Sequence, residues 1–249
     1  MNAKQIIPTI AAVALGLTAQ ATTYNGNGNT SFNGAIGNGS LTLTDNGTTV
    51  SGSLTTGAGL SGNAFVLYIE AGLTPAGFST TSGFNDNGDQ LRTAISQYNG
   101  AGNQSILNFA SGFTPNYAIA MQPASGIDFG GMWQLTAGGG ANSLPFDTSV
   151  SLSPTGSDAA GTYTFSFNLS SIGLTGGQSF ELFGMQISTT GYSSAEAIGG
   201  GLTGSLGYGA TQTETSFSTY TTTAVPEPTT LALAGLGGLA TLVAARRRK

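Results

Sequence analysis

The chain contains neither cysteine nor histidine. Without cysteine there is no disulfide framework and no thiol nucleophile. Without histidine there is no His-assisted serine triad, and the two absences together remove the usual zinc ligands. Charge is scarce too, at 7% of residues, and all but one of the basic residues lie at the ends. Lys4, Arg246, Arg247, Arg248 and Lys249 lie outside residues 22–224, which hold Arg92 alone against ten acidic side chains, a net charge of −9. A nucleic-acid partner needs a basic footprint, and this body has none. Two carboxylates would suffice for a glycosidase-type reaction. No pair is singled out by spacing, however, so we expect no catalysis and no cofactor.

What the chain has in quantity is glycine, 40 residues of it, among many Ser, Thr and Asn. Apolar residues still make up 39%, enough for a core, so low charge and turn-forming composition together favour β-structure with tight turns over disorder. Asn25-Gly26, Asn33-Gly34, Asn38-Gly39 and Asn46-Gly47 punctuate the first part of the body. Leu41 to Leu54 reads as a hairpin around Asp45-Asn46-Gly47, its leucines alternating with threonines. Ala64 to Glu70 is apolar on both faces and predicts a central strand. Leu91 to Tyr98 predicts a short helix capped by Asp89, with a strand as the competing reading. Tyr163, Phe165, Phe167 and Leu169 alternate with polar residues, the period of an amphipathic strand. Residues 214–223 predict either a last polar strand or an extended stalk. Short strands at this spacing argue for one domain, residues 22–220, with an antiparallel β-sandwich of jelly-roll type; a β-solenoid is the alternative.

The two ends carry a different kind of information. Residues 1–21 combine one basic residue, an apolar stretch from Ile6 to Leu17 and the small-x-small site Ala19-Gln20-Ala21, the form of a secretory signal helix cut after Ala21. At the other end, Val225-Pro226-Glu227-Pro228 closes a stalk set at residues 221–228. An uncharged run follows from Thr229 to Ala245, then Arg246 to Lys249. The prolines break any entering helix. The 17-residue run would extend roughly 25 Å as a helix, the short edge of a membrane span, and the basic cluster would stop transfer. This tail, residues 225–249, resembles the PEP-CTERM sorting signal of bacterial exosortase substrates. The resemblance covers about a tenth of the chain. It implies export through the general secretion machinery, an inner-membrane-anchored intermediate held by the helix of 229–249, processing by an exosortase, and final residence at the cell surface or outside. Because that system is associated with polysaccharide export, it also implies an extracellular polysaccharide (biofilm) setting.

Within the body, Asn85-Asp86-Asn87-Gly88-Asp89 gathers oxygen donors on a loop, as a Ca²⁺ site would, but lacks the later Glu of an EF-hand. A turn leading into a helix cap is the preferred reading of Asp86 and Asp89. Trp133, Tyr98 and Tyr117 could form a sugar-stacking platform, against a core role for a lone Trp. Arg92 should have a fixed carboxylate partner, Asp89 or Asp86, unless it grips an acidic sugar instead. These readings lead to an expected structural or adhesive role in a polysaccharide layer. The alternatives are a displayed carbohydrate-binding module and, less favoured, a carboxylate-dependent glycan-active enzyme.

Overall fold

The computed structural model describes residues 20–225 except 73, 101, 123–128, 137, 155–158 and 160, together with 235, 237, 238, 243, 245 and 246. Residues 1–19 of the signal segment, Ala19 among them, lie outside the described residues, as do Pro226, Glu227, Pro228 and Arg247 to Lys249.

The strands in chain order begin with β1 (Ala21–Asn25), β2 (Ser40–Asp45), β3 (Thr49–Thr55) and β4 (Ala64–Glu70). After β5 (Phe84–Asn85) comes helix α1 (Gln90–Ser96), then β6 (Ile106–Asn108), β7 (Tyr117–Gln122), β8 (Phe129–Gln134) and β9 (Gly138–Gly139). The second half holds β10 (Phe146–Ser153), β11 (Thr162–Asn168), β12 (Ser179–Ile187), β13 (Ser193–Ile198), β14 (Leu202–Gly204), β15 (Thr211–Glu214) and β16 (Ser218–Thr221).

The expected antiparallel all-β architecture is present, but two separate jelly-roll sheets are not what organises it. One sheet of 11 strands runs β1-β2-β3-β11-β10-β8-β7-β4-β12-β13, with β16 also on β12. It curls almost into a barrel. An antiparallel bridge between Gly26 and Ile198, and an Asn27 N–H to Ala197 C=O bond of 2.9 Å, join its two ends. Closure removes edges that would otherwise pair with other chains. The stacked coils of a solenoid do not occur among the described strands.

Alternation places the cores. Leu41, Leu43, Val50, Leu54, Tyr163, Phe165 and Phe167 of one half meet Phe65, Leu67, Ile69, Ile119, Met121, Phe180 and Leu182 of the other inside the curl. Gly52 belongs there because a Cβ would overlap the Phe165 ring, and Gly184 because a Cβ would lie 2.7 Å from Phe65. The register irregularity in the β12–β13 pair falls between Met185 and Ile187. The hairpin turn of β2–β3 is shifted by one residue from the Asn46-Gly47 pair. Asn46 N–H bonds Thr49 C=O at 3.2 Å, and positive φ occurs at Gly47 and not Asn46, the pattern of a turn with Gly first.

A second core lies on the outside of β4, β7, β8 and β12. Val66, Tyr68, Ala118, Ala120, Trp133, Phe183 and Met185 are covered there by Leu91, Ala94 and Ile95 of α1 and by Phe84, Leu107, Phe113 and Leu144. The chain between β4 and β7 supplies most of this cover, and it carries the candidate site.

Candidate functional site

The site grows from the turn before α1. Asp86 is fully buried, and its Oδ1 accepts the N–H groups of Gly88 (2.9 Å) and Asn142 (2.7 Å). Its Oδ2 accepts the Leu144 N–H at 2.8 Å and lies 3.4 Å from Arg92 Nε. Asp89 caps the helix through Oδ1 to the Arg92 N–H at 2.8 Å, and its Oδ2 pairs with Arg92 Nη1. Arg92 Nε also donates to the Leu144 carbonyl at 3.3 Å. The guanidinium is thus fixed by two carboxylates, and it stands 5.7 Å from the centroid of the Trp133 ring.

Trp133 is 1% exposed, and its Nε1–H has no hydrogen-bond partner among the described residues. Gly131 makes room for it, since a Cβ there would lie 2.7 Å from the indole. Over it stand Phe146 (ring centroids 5.6 Å apart, 73°) and Phe129 (6.4 Å, 76°). These two phenyl rings are inclined to one another by 29° at 6.0 Å and remain 45% and 39% exposed. With Asp89, Gln90, Leu91 and Arg92 they line a groove of about 490 Å³. It offers exposed aromatic faces locked from beneath, flanked by carboxylate and amide groups that can exchange hydrogen bonds with hydroxyls. Arg92 is outnumbered by Asp86 and Asp89, so the groove does not favour an anion.

The structure brings Trp133, Arg92, Asp86 and Asp89 together, but not the tyrosines. Tyr117 is in the interior core, its hydroxyl 3.4 Å from the Thr74 carbonyl, and burial and then Asp147 push its pKa up. Tyr98 follows the helix, its N–H donating to Ser96 Oγ at 3.2 Å, and does not line the groove. The side chains missed in the sequence are Phe129 and Phe146. The signal for the first was Gly130-Gly131 beside Trp133, which marks a close approach of backbone and indole. As for metal, no group of three acidic residues is assembled among the described residues. Asp86 turns its oxygens to N–H donors, which a cation would have to displace.

Glu70 and Glu181 are cross-strand neighbours beside a pocket of about 180 Å³, and burial, then Glu70, raises the Glu181 pKa. Glu70 itself is engaged by Thr114 through its N–H and, at 3.1 Å, its hydroxyl.

The body's last residues are held, not free. Thr221 is in β16, and Thr222 N–H and Oγ1–H both reach the Gln178 carbonyl, at 2.9 and 2.7 Å. Asp45 accepts the N–H of Thr223 at 2.8 Å and the hydroxyl of Tyr220 at 2.7 Å. A stalk beginning at 221 is therefore corrected: packed structure continues to Thr223. Val225 is 45% exposed beside Gly47. Among the described residues no helix is long and apolar enough to cross a membrane, and most of the apolar run 229–245 lies outside them. Gly235, Gly237, Gly238, Val243, Ala245 and Arg246, which are described, are helical and exposed.

A family model described as the PEP-CTERM protein-sorting motif matches residues 224–249. The match starts one residue after the last one Asp45 holds. No curated protein and no solved structure matches the chain. The chain therefore carries a PEP-CTERM sorting motif, which marks exported proteins sorted by an exosortase.

Proposed function

We propose that this is a non-catalytic, adhesive component of an extracellular polysaccharide layer, reaching the cell surface through an anchored intermediate and binding neutral glycan in the groove of Phe129, Phe146 and Trp133. The observation that carries the reading is the pair of exposed phenyl rings, braced by a buried indole and a charge-compensated arginine. An aromatic face takes the apolar face of a pyranose ring, while Asp89 and Gln90 flank it as partners for hydroxyls. A uronate would meet Asp89 and Asp86 with no unpaired cation to offset them, so Arg92 serves the protein's own carboxylates. The enzymatic alternative has one foothold, the Glu70–Glu181 pair, and there Thr114 already occupies both Glu70 oxygens.

The test is affinity electrophoresis against a panel of neutral and acidic polysaccharides. Retardation by a neutral polymer is expected, weakened at least about tenfold, or about 1.4 kcal/mol, by Phe146→Ala. The fold should be unaffected, since this ring is half in solvent. Retardation by uronate polymers alone, or by none, would refute the proposal.

A further inference from the structure

Both routes out of the body leave from one place. Ala21 pairs with Thr44 at the end of β2, and the Gln20 carbonyl accepts the Tyr220 hydroxyl at 3.3 Å. The same hydroxyl donates to Asp45, which also holds Thr223. Gly47, with φ of 81°, lets the chain pass closely: a Cβ there would overlap Val225 and lie 2.9 Å from the Thr223 carbonyl. On the opposite side a Cβ on Gly176 would lie 2.6 Å from that same carbonyl. Residues 223–225 thus leave between the turn of 46–48 and the loop of 168–178.

The surface around this exit has a distinct chemistry. In a body of net charge −9, the segments 46–48 and 168–178 contain no charged side chain. Their exposed groups are Asn46, Thr48, Asn168, Ser170, Thr175 and Gln178. Asp45, the acid beside the exit, is 4% exposed. The other acids at this end of the sheet lie on other strands: exposed Asp147 near the start of β10, and Glu181, two residues into β12, opposite Glu70, the last residue of β4. Only five residues lie between Thr223 and Thr229, a reach of at most about 20 Å, and two of them are prolines, which stiffen it.

We infer that this pole is a membrane-facing surface: while the sorting tail is in place, the body stands on the bilayer with the turns of 46–48 and 168–178 toward the lipid headgroups. The inference rests on the tail being membrane-inserted. A clasped exit and a short, proline-stiffened connection fix the orientation, and the uncharged turns beside the exit lower the repulsion that an acidic body would meet at an anionic surface.

The absence of cysteine makes the test direct. Single Thr48→Cys, Thr55→Cys and Val243→Cys variants of the full chain carry a fluorophore in bilayer discs containing phosphatidylglycerol and a headgroup-nitroxide lipid. Thr48, just before β3, and Thr55, its last residue, are both exposed and roughly 20 Å apart along the strand. The expected result is quenching at Val243 and at Thr48, with at least twofold less at Thr55. A ten-residue Gly/Ser insertion between Ala224 and Val225 should then make Thr48 and Thr55 alike. Quenching at Val243 with equal values at Thr48 and Thr55 in the uninserted chain would overturn the orientation while leaving the tail's insertion standing. No quenching at Val243 would overturn both. A difference that survives the insertion would overturn the role of the clasp.

Discussion

β3 and β4 follow one another in the chain and send the same kind of side chain into the shared interior, yet their outer faces meet different surroundings. The outer residues of β3 are Thr49, Ser51, Ser53 and Thr55, none of them buried. They belong to rows of hydroxyls across five strands, such as Thr23, Thr42, Ser53, Thr164 and Ser153 in register. The outer residues of β4 include Ala64, Val66 and Tyr68, all fully buried. What differs is the connection. β2 and β3 are joined by a tight turn, whereas residues 71–116 between β4 and β7 fold back over the sheet and cover it. A face in water settles for small hydroxyls, while a face under a cover must supply apolar area and satisfy every polar group it hides. The groove belongs to the covered half because its rings and its arginine need such a support.

The largest effect should come from removing a support under the cover. Tyr68 is fully buried, donates its hydroxyl to the Ile95 carbonyl at 2.7 Å and packs edge-on against Phe109 at 5.0 Å. Tyr68→Ala should cost about 3–5 kcal/mol, from the cavity and from the carbonyl left unpaired at the end of α1. For a body of some 200 residues that is a fall of roughly 10 °C in Tm. Thermal melting checks it. A loss below about 1 kcal/mol would mean that the cover is loosely attached and that the two halves do not differ as described.

The same contrast explains what could be read from the chain. On the hydroxyl half the alternation of Tyr163, Phe165 and Phe167 states both the strand and its inner face. On the covered half Ala64 to Glu70 states a strand with no wet face, and Asp89 states the start of α1. All of these are local signals. The strand order was not legible, since the closing contacts join Gly26 to Ile198 and Asn27 to Ala197, and pattern alone permits other pairings. Nor was the groove, because Phe146 meets Trp133 and Phe129 only once β8 and β10 pair. Glu196 is the strongest case. It is fully buried and accepts the N–H groups of Phe32, Gly34, Ile36 and Gly37 at 2.5–3.1 Å. Four backbone donors about 160 residues away leave no trace in side-chain pattern.

A second, smaller effect should depend on pH. Glu214 on β15, in the cover, is 1% exposed, with Oε2 3.3 Å from the Ala110 N–H and Oε1 without a partner among the described residues. Burial pushes its pKa up from 4.5 to about 8, against a small opposing effect of the Ala110 N–H. Between those values the folded chain holds a proton that the unfolded chain has lost, so this group's contribution to stability falls as pH rises from about 4.5 to about 8. Glu214→Gln should remove that slope, so the variant gains on the parent chain as pH rises from 5 to 8. Parallel melting curves for the two proteins across this range would show that the cover admits water to the carboxyl, and the line between wet and covered halves would have to be redrawn.

The smallest effect belongs to the wet face, and its smallness is the informative part. Thr164 lies within a hydroxyl row, between Ser53 and Ser153, exposed, with its Oγ1–H 3.3 Å from the Ser153 carbonyl. Thr164→Ala removes a weak, solvated hydrogen bond and a β-branched side chain. The cost should stay under about 1 kcal/mol, the span of strand propensity in a host protein. Thr164→Val separates the two contributions, because it keeps the branch and drops only the hydroxyl, and its stability should lie within about 0.5 kcal/mol of the parent chain. Should the valine variant instead lose more than about 1.5 kcal/mol, the hydroxyl would have to be buried against something in solution. The wet half would then have a cover of its own, and the contrast with β4 would concern which molecule supplies it.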